Sequence, residues 1–275
     1  MECGDPDGYP VLAHHGVPGC HVEGVAFAHE AAAEVGVRLI AIDRPGVGMS
    51  EMAPRQRVLD FAETVAGIAD WLEIDQFAVL GASGGGPYTL ATAAQLPDRV
   101  SNAVVVSSPA PFEKGIDGGK SAGGLSILRR FPFLARPVAA RMAKVVRKPR
   151  GLDAMIAQMG VADRDRVAGD DWLKSKLAEN IHTAFETGSR GVAVDFQVVF
   201  ARPWGFDPVD IAVPVHIWHG DGDQNVPVAD GRRLAATIPN STYDEIEGAG
   251  HLLFVDHAVP ILRAILEDDH ARQSD

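Results

Sequence analysis

Short apolar runs alternate with longer segments of helical spacing through the first part of the chain. The apolar runs end at glycine, serine or proline, as buried parallel strands do; they are Val11–Ala13, Arg38–Ile42, Phe77–Leu80 and Ala103–Val106. The segments between them are rich in Ala and Glu with helical spacing; they are Val22–Glu34, Arg57–Leu72 and Pro87–Leu96. This alternation predicts an α/β fold, with a mostly parallel sheet flanked by helices.

The alternation is interrupted once and then resumes. Between Phe112 and Phe206 the segments have helical spacing and no strand pattern is evident. After this stretch the sequence predicts two strands and two helices; these are Val213–Trp218, Ala229–Ile238, Thr242–Ile246 and 252–266. We therefore expect a core built from residues 1–111 and 207–275, with a helical cap inserted over 112–206. Few residues precede Val11, so an earlier strand hairpin would be missing, cut off or replaced by a strand of another chain.

Composition and charge narrow the class of protein. The chain has 275 residues, enough for one large domain or one domain with an insertion. Its 25 Lys and Arg against 37 Asp and Glu leave a net charge of −12, which argues against binding to nucleic acid phosphates. Cys3 and Cys20 do not form a disulfide framework. Neither a signal peptide nor a transmembrane segment is predicted, so we expect a cytoplasmic protein with a small-molecule partner.

A serine in a strand-to-helix turn is the first candidate for chemistry. Gly81-Ala82-Ser83-Gly84-Gly85 follows an apolar strand and precedes a helical segment, the context of a nucleophile elbow. The Gly84 N–H would face a substrate carbonyl from the N-terminal end of that helix, where negative charge is favoured. A second match, Gly119-Lys120-Ser121-Ala122-Gly123, has no strand before it. Ser83 is therefore the predicted nucleophile.

A serine nucleophile needs a base, and the base needs a carboxylate that orients it. Asp221 and Asp223 follow the strand that ends at Trp218, and His251 follows the last predicted strand. Serine, aspartate and histidine in this chain order form one of the arrangements in which the catalytic triad recurs. The spacing alone leaves both aspartates as candidates for the acid.

The sequence resembles the α/β-hydrolases with a helical cap along nearly its whole length. The segments that carry the resemblance are His14-His15-Gly16-Val17-Pro18-Gly19, Asp43-Arg44-Pro45-Gly46-Val47-Gly48-Met49-Ser50, the Ser83 elbow, Gly220 to Asp223 with Val226-Pro227, and Gly250-His251. The resemblance implies that Asp223 is the acid, with Asp221 capping a turn. It also implies that the backbone N–H groups of Val17 and Gly84 form the oxyanion hole, where negative charge develops.

A metal site is not predicted. His216, His219, Asp221 and Asp223 have spacing that resembles a ligand set. His216 and His219 are, however, an odd number of residues apart on a strand and so face opposite sides. We expect neither a metal nor a cofactor.

The helical insertion carries an apolar stripe and a basic face. Leu134, Val138, Met142 and Val146 recur every four residues. No acid occurs between Gly118 and Leu152, where the basic residues are Lys120, Arg129, Arg130, Arg136, Arg141, Lys144, Arg147, Lys148 and Arg150. We expect Leu134, Val138 and Met142 to lie over the substrate pocket. The basic face predicts a solvated surface, with contact to an anionic membrane surface or attraction of an anionic substrate as alternatives.

Together these features predict a serine hydrolase that cleaves a carboxylic ester or a related small acyl compound. Proline iminopeptidases, carbon–carbon bond hydrolases and cofactor-free perhydrolases use the same triad, so these activities stay open as alternatives. A ligand-binding sensor that kept the fold without turnover is the alternative from another class.

Overall fold

One sheet of seven strands organises the residues that the computed structural model describes, namely 1–54, 57–111, 127–128, 130–148 and 150–273. The strands are β1 (Glu2–Gly4), β2 (Tyr9–His14), β3 (Val37–Ile42), β4 (Phe77–Ala82), β5 (Val100–Val106), β6 (Val215–Gly220) and β7 (Ser241–Ile246). They pair in the order β1-β3-β2-β4-β5-β6-β7. All neighbours are parallel except β1, which runs antiparallel to β3. The predicted mostly parallel sheet is confirmed.

Helices cover both faces of the sheet. They are α1 (Val22–Val35), α2 (Ala62–Trp71), α3 (Gly86–Gln95), α4 (Ala135–Val146), α5 (Gly151–Ile156), α6 (Val161–Ala168), α7 (Asp171–Ala184), α8 (Arg190–Phe200), α9 (Val228–Thr237) and α10 (Leu253–Gln273). Successive strand residues point to opposite faces. Val11 and Leu39 thus pack with α1 and α10, whereas Leu12 and Ile40 belong to the apolar layer of α2, α3 and α9. Each of these fully buried side chains contributes about 1.5–3 kcal/mol of stability.

Between β5 and β6, the described residues form helices and no strand. We refer to α4–α8 as the helical insertion. Its helices α4 and α8 extend the apolar layer of α2 and α3, through Ala139, Ala143 and Phe196 among others. The predicted start of the insertion at residue 112 and the second Gly-x-Ser-x-Gly pattern around Ser121 lie outside the described residues.

The structure differs from the sequence prediction at two places near the N-terminal half of the sheet. The chain supplies its own edge strand, because Glu2–Gly4 pairs along β3 and Glu2 accepts a hydrogen bond from Arg38 Nε at 2.8 Å. Helix α2 begins at Ala62 rather than at Arg57. Residues 57 and 58 form a bend and Leu59–Phe61 a short 3₁₀ helix, and Asp60 accepts the backbone N–H of Arg57 at 2.9 Å.

The basic face of the helical insertion is exposed over its described part. Arg141, Lys144, Arg147 and Lys148 are all solvent-exposed, whereas Val146 on the opposite side of α4 is buried. Lys120 and Arg129 of the predicted basic run lie outside the described residues. Over the part of the chain that is described, no helix has the length and apolar character needed to cross a membrane.

Candidate active site

Ser83 lies in the sharp turn between β4 and α3. Its φ of 51° is in the left-handed region, which costs a non-glycine residue about 1–2 kcal/mol. The turn approaches the neighbouring strand so closely that a Cβ on Gly85 would lie 2.0 Å from the His14 carbonyl oxygen. Glycine is therefore required beside a serine that is itself held in a strained conformation, as in a nucleophile elbow.

Asp223 and His251 form a hydrogen-bonded pair. Asp223 Oδ2 lies 2.7 Å from His251 Nδ1, and the carboxylate is completely buried. The other oxygen, Oδ1, accepts the backbone N–H groups of Asn225 at 2.8 Å and Val226 at 2.9 Å. Backbone donors thus fix the carboxylate that holds the imidazole, which leaves the opposite ring nitrogen, Nε2, free of this contact.

A second histidine lies against the same carboxylate. His219 is fully buried on β6, with Nε2 3.1 Å from the Val226 carbonyl oxygen and 3.5 Å from Asp223 Oδ2. Burial alone would raise the pKa of Asp223. The charge of His251 and the hydrogen bonds from His219, His251 and Val226 outweigh burial, and the pKa of Asp223 is lowered. The acid is therefore an ionised carboxylate at neutral pH.

His251 lies close to three carboxyl groups, all of which favour its protonation. Burial of the imidazole opposes its protonation, but the charge and hydrogen bond of Asp223 act in the other direction. The carboxyl groups of Asp163 and Glu23 add to this effect, and the pKa of His251 is raised. The surrounding carboxyl groups therefore stabilise the imidazolium. A histidine that acts as a general base becomes an imidazolium when it accepts a proton.

The backbone of Val17 lies beside the Ser83 turn. A Cβ on Gly84 would lie 3.2 Å from the Val17 nitrogen, and a Cβ on Gly16 would lie 3.5 Å from Ser83 Cβ. The loop after β2 and the N-terminal end of α3 therefore meet at the serine. This places the backbone nitrogens of Val17 and Gly84 on neighbouring segments, as a two-donor oxyanion site requires.

Ser83 and His251 line one cavity of about 320 Å³. The wall also includes Val17, and the helical insertion contributes Met142, Met155, Gln158, Met159, Asp163, Leu177, Asn180 and Ile181. Leu134 and Val138 instead are half-buried and pack against the large apolar layer. Of the three predicted pocket residues on this segment, Met142 alone belongs to the described lining.

Two carboxyl groups outside the Asp223–His251 pair also line the cavity. Glu23, in the first turn of α1, accepts the Gly16 N–H with both oxygens at 3.0 and 3.1 Å. Burial raises the pKa of Glu23 although this hydrogen bond opposes the change. Asp163, on α6, accepts the Leu252 N–H at 2.9 Å. Neither residue was predicted from the sequence, because each becomes distinctive only through partners that are distant along the chain.

A buried arginine holds the loop that carries Gly16 and Val17. The Arg44 guanidinium is inaccessible to solvent and donates to the carbonyl oxygens of His15 at 2.7 Å and Gly16 at 2.8 Å. Its Nε donates to Asp195 Oδ2 on α8 at 3.1 Å, and the Tyr88 hydroxyl donates to Asp195 Oδ1 at 3.0 Å. In the sequence Arg44 is notable only as part of the Asp43–Ser50 motif. Its role in shaping this loop becomes evident from the structure.

A further contact joins the same loop to the helical insertion. The backbone N–H of Cys20 donates to Asn180 Oδ1 on α7 at 2.9 Å, and the Cys20 thiol lies 3.3 Å from the same oxygen. Cys20 is buried, and burial raises the pKa of its thiol to about 12. The thiol is therefore protonated and acts as a hydrogen-bond donor at this junction.

The described residues include one group of three that could hold a metal ion. Potential ligand atoms of Cys20, His21 and Asp43 all lie within 4.8 Å of one another. The same atoms are already engaged, because His21 Nδ1 lies 2.7 Å from Asp43 Oδ2 and the Cys20 thiol contacts Asn180. The donors fit an internal hydrogen-bond network better than a metal site, because each of the three is already paired with a group of the protein.

Comparison with known proteins identifies the family of the chain. A family model described as alpha/beta hydrolase fold matches residues 9–258. The non-heme chloroperoxidase of Streptomyces lividans is 28% identical over 264 residues, which cover 93% of this chain and 90% of that protein. A 2-hydroxy-6-oxononadienedioate/2-hydroxy-6-oxononatrienedioate hydrolase of Pseudomonas putida is 26% identical over 240 residues, or 84% of this chain and 77% of that protein. A solved alpha/beta hydrolase fold protein from Nakamurella multipartita, 28% identical, superimposes with a TM-score of 0.69 over 96% of this chain and 94% of its own. The chain therefore belongs to the alpha/beta hydrolase family.

Proposed function

We propose that the protein is a serine hydrolase that cleaves a carboxylic ester or a related small acyl compound through an acyl-enzyme on Ser83. The observation that carries this proposal is the 2.7 Å contact between Asp223 and His251, together with the cavity that His251 shares with Ser83. A strained serine, and a histidine that pairs with a buried aspartate and lines the same cavity as the serine, fit the constellation that activates a hydroxyl for acyl transfer.

In the proposed reaction, Ser83 Oγ attacks the ester carbonyl carbon while His251 Nε2 accepts the serine proton. Asp223 holds the imidazole in the required tautomer and stabilises the imidazolium without itself being protonated. The negative charge on the former carbonyl oxygen is stabilised by the N–H groups of Val17 and Gly84. Breakage of the carbon–oxygen bond releases the alcohol, to which His251 returns the proton. A water molecule, deprotonated by His251, then hydrolyses the acyl-enzyme and regenerates Ser83.

The cavity favours a small uncharged or cationic acyl compound over a dicarboxylate. Its volume of about 320 Å³ is at the lower end of the range for small-molecule sites. The described residues that line it include the carboxyl groups of Glu23 and Asp163 and no Lys or Arg. A dioate such as the one named for the Pseudomonas putida relative would find no cationic side chain in this lining. For this reason we favour ester cleavage over carbon–carbon bond hydrolysis as the activity of this protein.

Active-site labelling tests the proposal. We expect a fluorophosphonate probe to label the protein at Ser83, and p-nitrophenyl acetate to be hydrolysed without added metal or cofactor. Ser83→Ala should abolish both, whereas Ser121→Ala, in the second Gly-x-Ser-x-Gly pattern, should retain both.

The outcomes separate the proposal from the alternatives. Full ester hydrolysis by Ser83→Ala would contradict the assignment of the nucleophile. Absence of labelling in the wild-type protein would favour a ligand-binding role. A panel of esters with increasing acyl length, proline amides, and acetate with hydrogen peroxide would rank esterase, iminopeptidase and perhydrolase activities, the last suggested by the Streptomyces lividans relative.

A further inference from the structure

The first turn of α6 rests on both loops that carry the acid and the histidine. A Cβ on Gly160, just before this helix, would lie 3.2 Å from Gln224 Cβ, next to Asp223. A Cβ on Gly250 would lie only 2.3 Å from Asp163 Oδ1. One end of a helix in the insertion therefore packs directly against the segments on either side of the Asp223–His251 hydrogen bond.

Asp163 makes the polar contact between α6 and the loop that carries His251. Its side chain is 2% exposed, and its Oδ1 accepts the N–H of Leu252, the residue after His251, at 2.9 Å. Its Oδ2 is buried with no hydrogen-bond partner among the described residues. A buried carboxylate with a free oxygen is costly to the fold. An unsatisfied buried polar atom of this kind calls for a functional explanation.

We propose that Asp163 is a positioning residue that couples docking of the helical insertion to the acid–base function of His251. Its Oδ1 fixes the backbone beside His251, and its negative charge favours the imidazolium that forms when His251 accepts the Ser83 proton. This inference rests on the proposed function, in which His251 is the general base.

The charges that face His251 come from three separate elements. Asp223 belongs to the loop after β6, Glu23 to the first turn of α1, and Asp163 to α6 of the insertion. Burial opposes the protonation of His251, and these three carboxyl groups together raise its pKa. Asp163 alone of the three is brought by the insertion, so its contribution exists only while the insertion is docked.

The same helix provides a matched control. Arg166, one turn after Asp163, pairs with Asp256 at 2.8 Å and with Asp170 at 2.9 Å. Arg166 thus tethers α6 to α10, but it is absent from the residues that line the cavity. Its removal deletes exposed ion pairs of the same helix and should leave the Asp163 carboxylate and its hydrogen bond to Leu252 in place.

The test uses three variants of the full chain. Asp163→Asn keeps the size and the Oδ1 acceptor but removes the charge, Asp163→Ser keeps a smaller neutral acceptor, and Arg166→Ala is the control. The rate of Ser83 labelling by a fluorophosphonate is measured across pH, and the His251 imidazole is titrated by NMR. Removing a negative charge lowers the pKa of His251. The acid limb of labelling should therefore move to lower pH in both Asp163 variants and stay in place in Arg166→Ala.

At a pH on the acid limb, each Asp163 variant should retain at least about twofold more of its own plateau rate than the wild type does. The plateau itself should fall, because the imidazolium is less stabilised. An unchanged titration of His251 in both variants would overturn the inference, as would an equal shift in Arg166→Ala. Failure of the proposed function is distinguishable, because the wild-type Ser83 would then not be labelled while the NMR titration still reports on Asp163.

Discussion

Asp221 and Asp223 are two residues apart at the end of β6, and they bind different partners. Asp221 Oδ1 accepts the Gly248 N–H at 2.7 Å and so closes the turn after β7. Asp223 is directed inwards to His251. The spacing within the chain left both candidates open, and the family resemblance selected Asp223. In the structure Asp221 makes a turn-capping contact and Asp223 pairs with His251, and the role of Asp223 as the acid stays a prediction.

Substitution of the two aspartates separates these contacts. Asp223→Asn should lower kcat for ester hydrolysis by about 10³–10⁴, because the imidazole loses the carboxylate that sets its tautomer. His251→Ala should lower kcat as fully as Ser83→Ala does, and both by more than Asp223→Asn, because the residues act as a unit. Asp221→Asn, the control, should stay within about threefold of wild type, since an exposed cap contributes to local stability. A larger loss from Asp221→Asn than from Asp223→Asn would show that the acid is misassigned.

Residues at the cavity differ in how far the sequence predicts them. Ser83, Asp223 and His251 stand at the ends of strands in recognisable motifs, so pattern and resemblance both pointed to them. Asp163 lies in the polar segment Val161–Ala168, where Asp165 has the same local surroundings. Only the docking of α6 on Leu252 distinguishes the two, and that contact spans 89 positions of the chain.

Secondary structure was predictable where a strand is fully buried. Phe77–Leu80 of β4 and Ala103–Val106 of β5 are continuous apolar runs, because helices cover both faces of these parallel strands. β1 is held in the sheet by pairing with β3. Because it is only three residues long, it has no periodic pattern that could have predicted it. Over its first turn the expected helix is instead a bend followed by the 3₁₀ helix Leu59–Phe61, and α2 begins at Ala62.

Helix α4 contributes one side chain to the cavity and several to the core. Met142 lines the cavity, whereas Val138, one turn earlier, packs against the apolar layer. A periodic stripe predicts which face of a helix is apolar but not which members of that face meet a cavity. Both side chains pack against the apolar layer, and of the two Met142 also belongs to the described cavity lining.

Met142→Ala should change the preference among acyl chain lengths. Removing a flexible side chain from the wall enlarges the cavity, so kcat/KM for longer acyl esters relative to acetate should change by about 10-fold. Val138→Ala, the control on the same helix, should lower Tm without changing this ratio. The comparison is made with p-nitrophenyl esters of increasing acyl length. Equal losses at every chain length in Met142→Ala would show that Met142 is structural only.

At the scale of the whole molecule, a buried ion pair joins the sheet to the helical insertion. Arg44 follows β3, Asp195 belongs to α8, and both side chains are at most 2% exposed. Arg44 also donates to the backbone of the loop that carries Val17. The Arg44 guanidinium therefore links the position of the helical insertion to the shape of this loop.

Removal of one partner should cost far more than removal of both. Asp195→Leu leaves an uncompensated buried charge and should lower the free energy of unfolding by about 3–5 kcal/mol. Arg44→Met combined with Asp195→Leu should recover much of that loss, because neither charge of this pair is then left buried without its partner. Equilibrium urea unfolding monitored by circular dichroism measures both. An additive loss in the double variant would show that the two residues stabilise the fold independently.

The contact between Cys20 and Asn180 allows the separation of the helical insertion from the core to be timed by alkylation. The Cys20 thiol is buried beneath α7, so a water-soluble alkylating reagent can reach it only after the insertion separates from the loop. The sequence contains two cysteines, and Cys3→Ser leaves Cys20 as the single reacting thiol. At high reagent concentration the alkylation rate becomes independent of the reagent and equals the rate of separation. A pocket occupied by an acyl group that bridges the insertion and the core would slow this alkylation, so the lifetime of the closed state can be measured without any turnover.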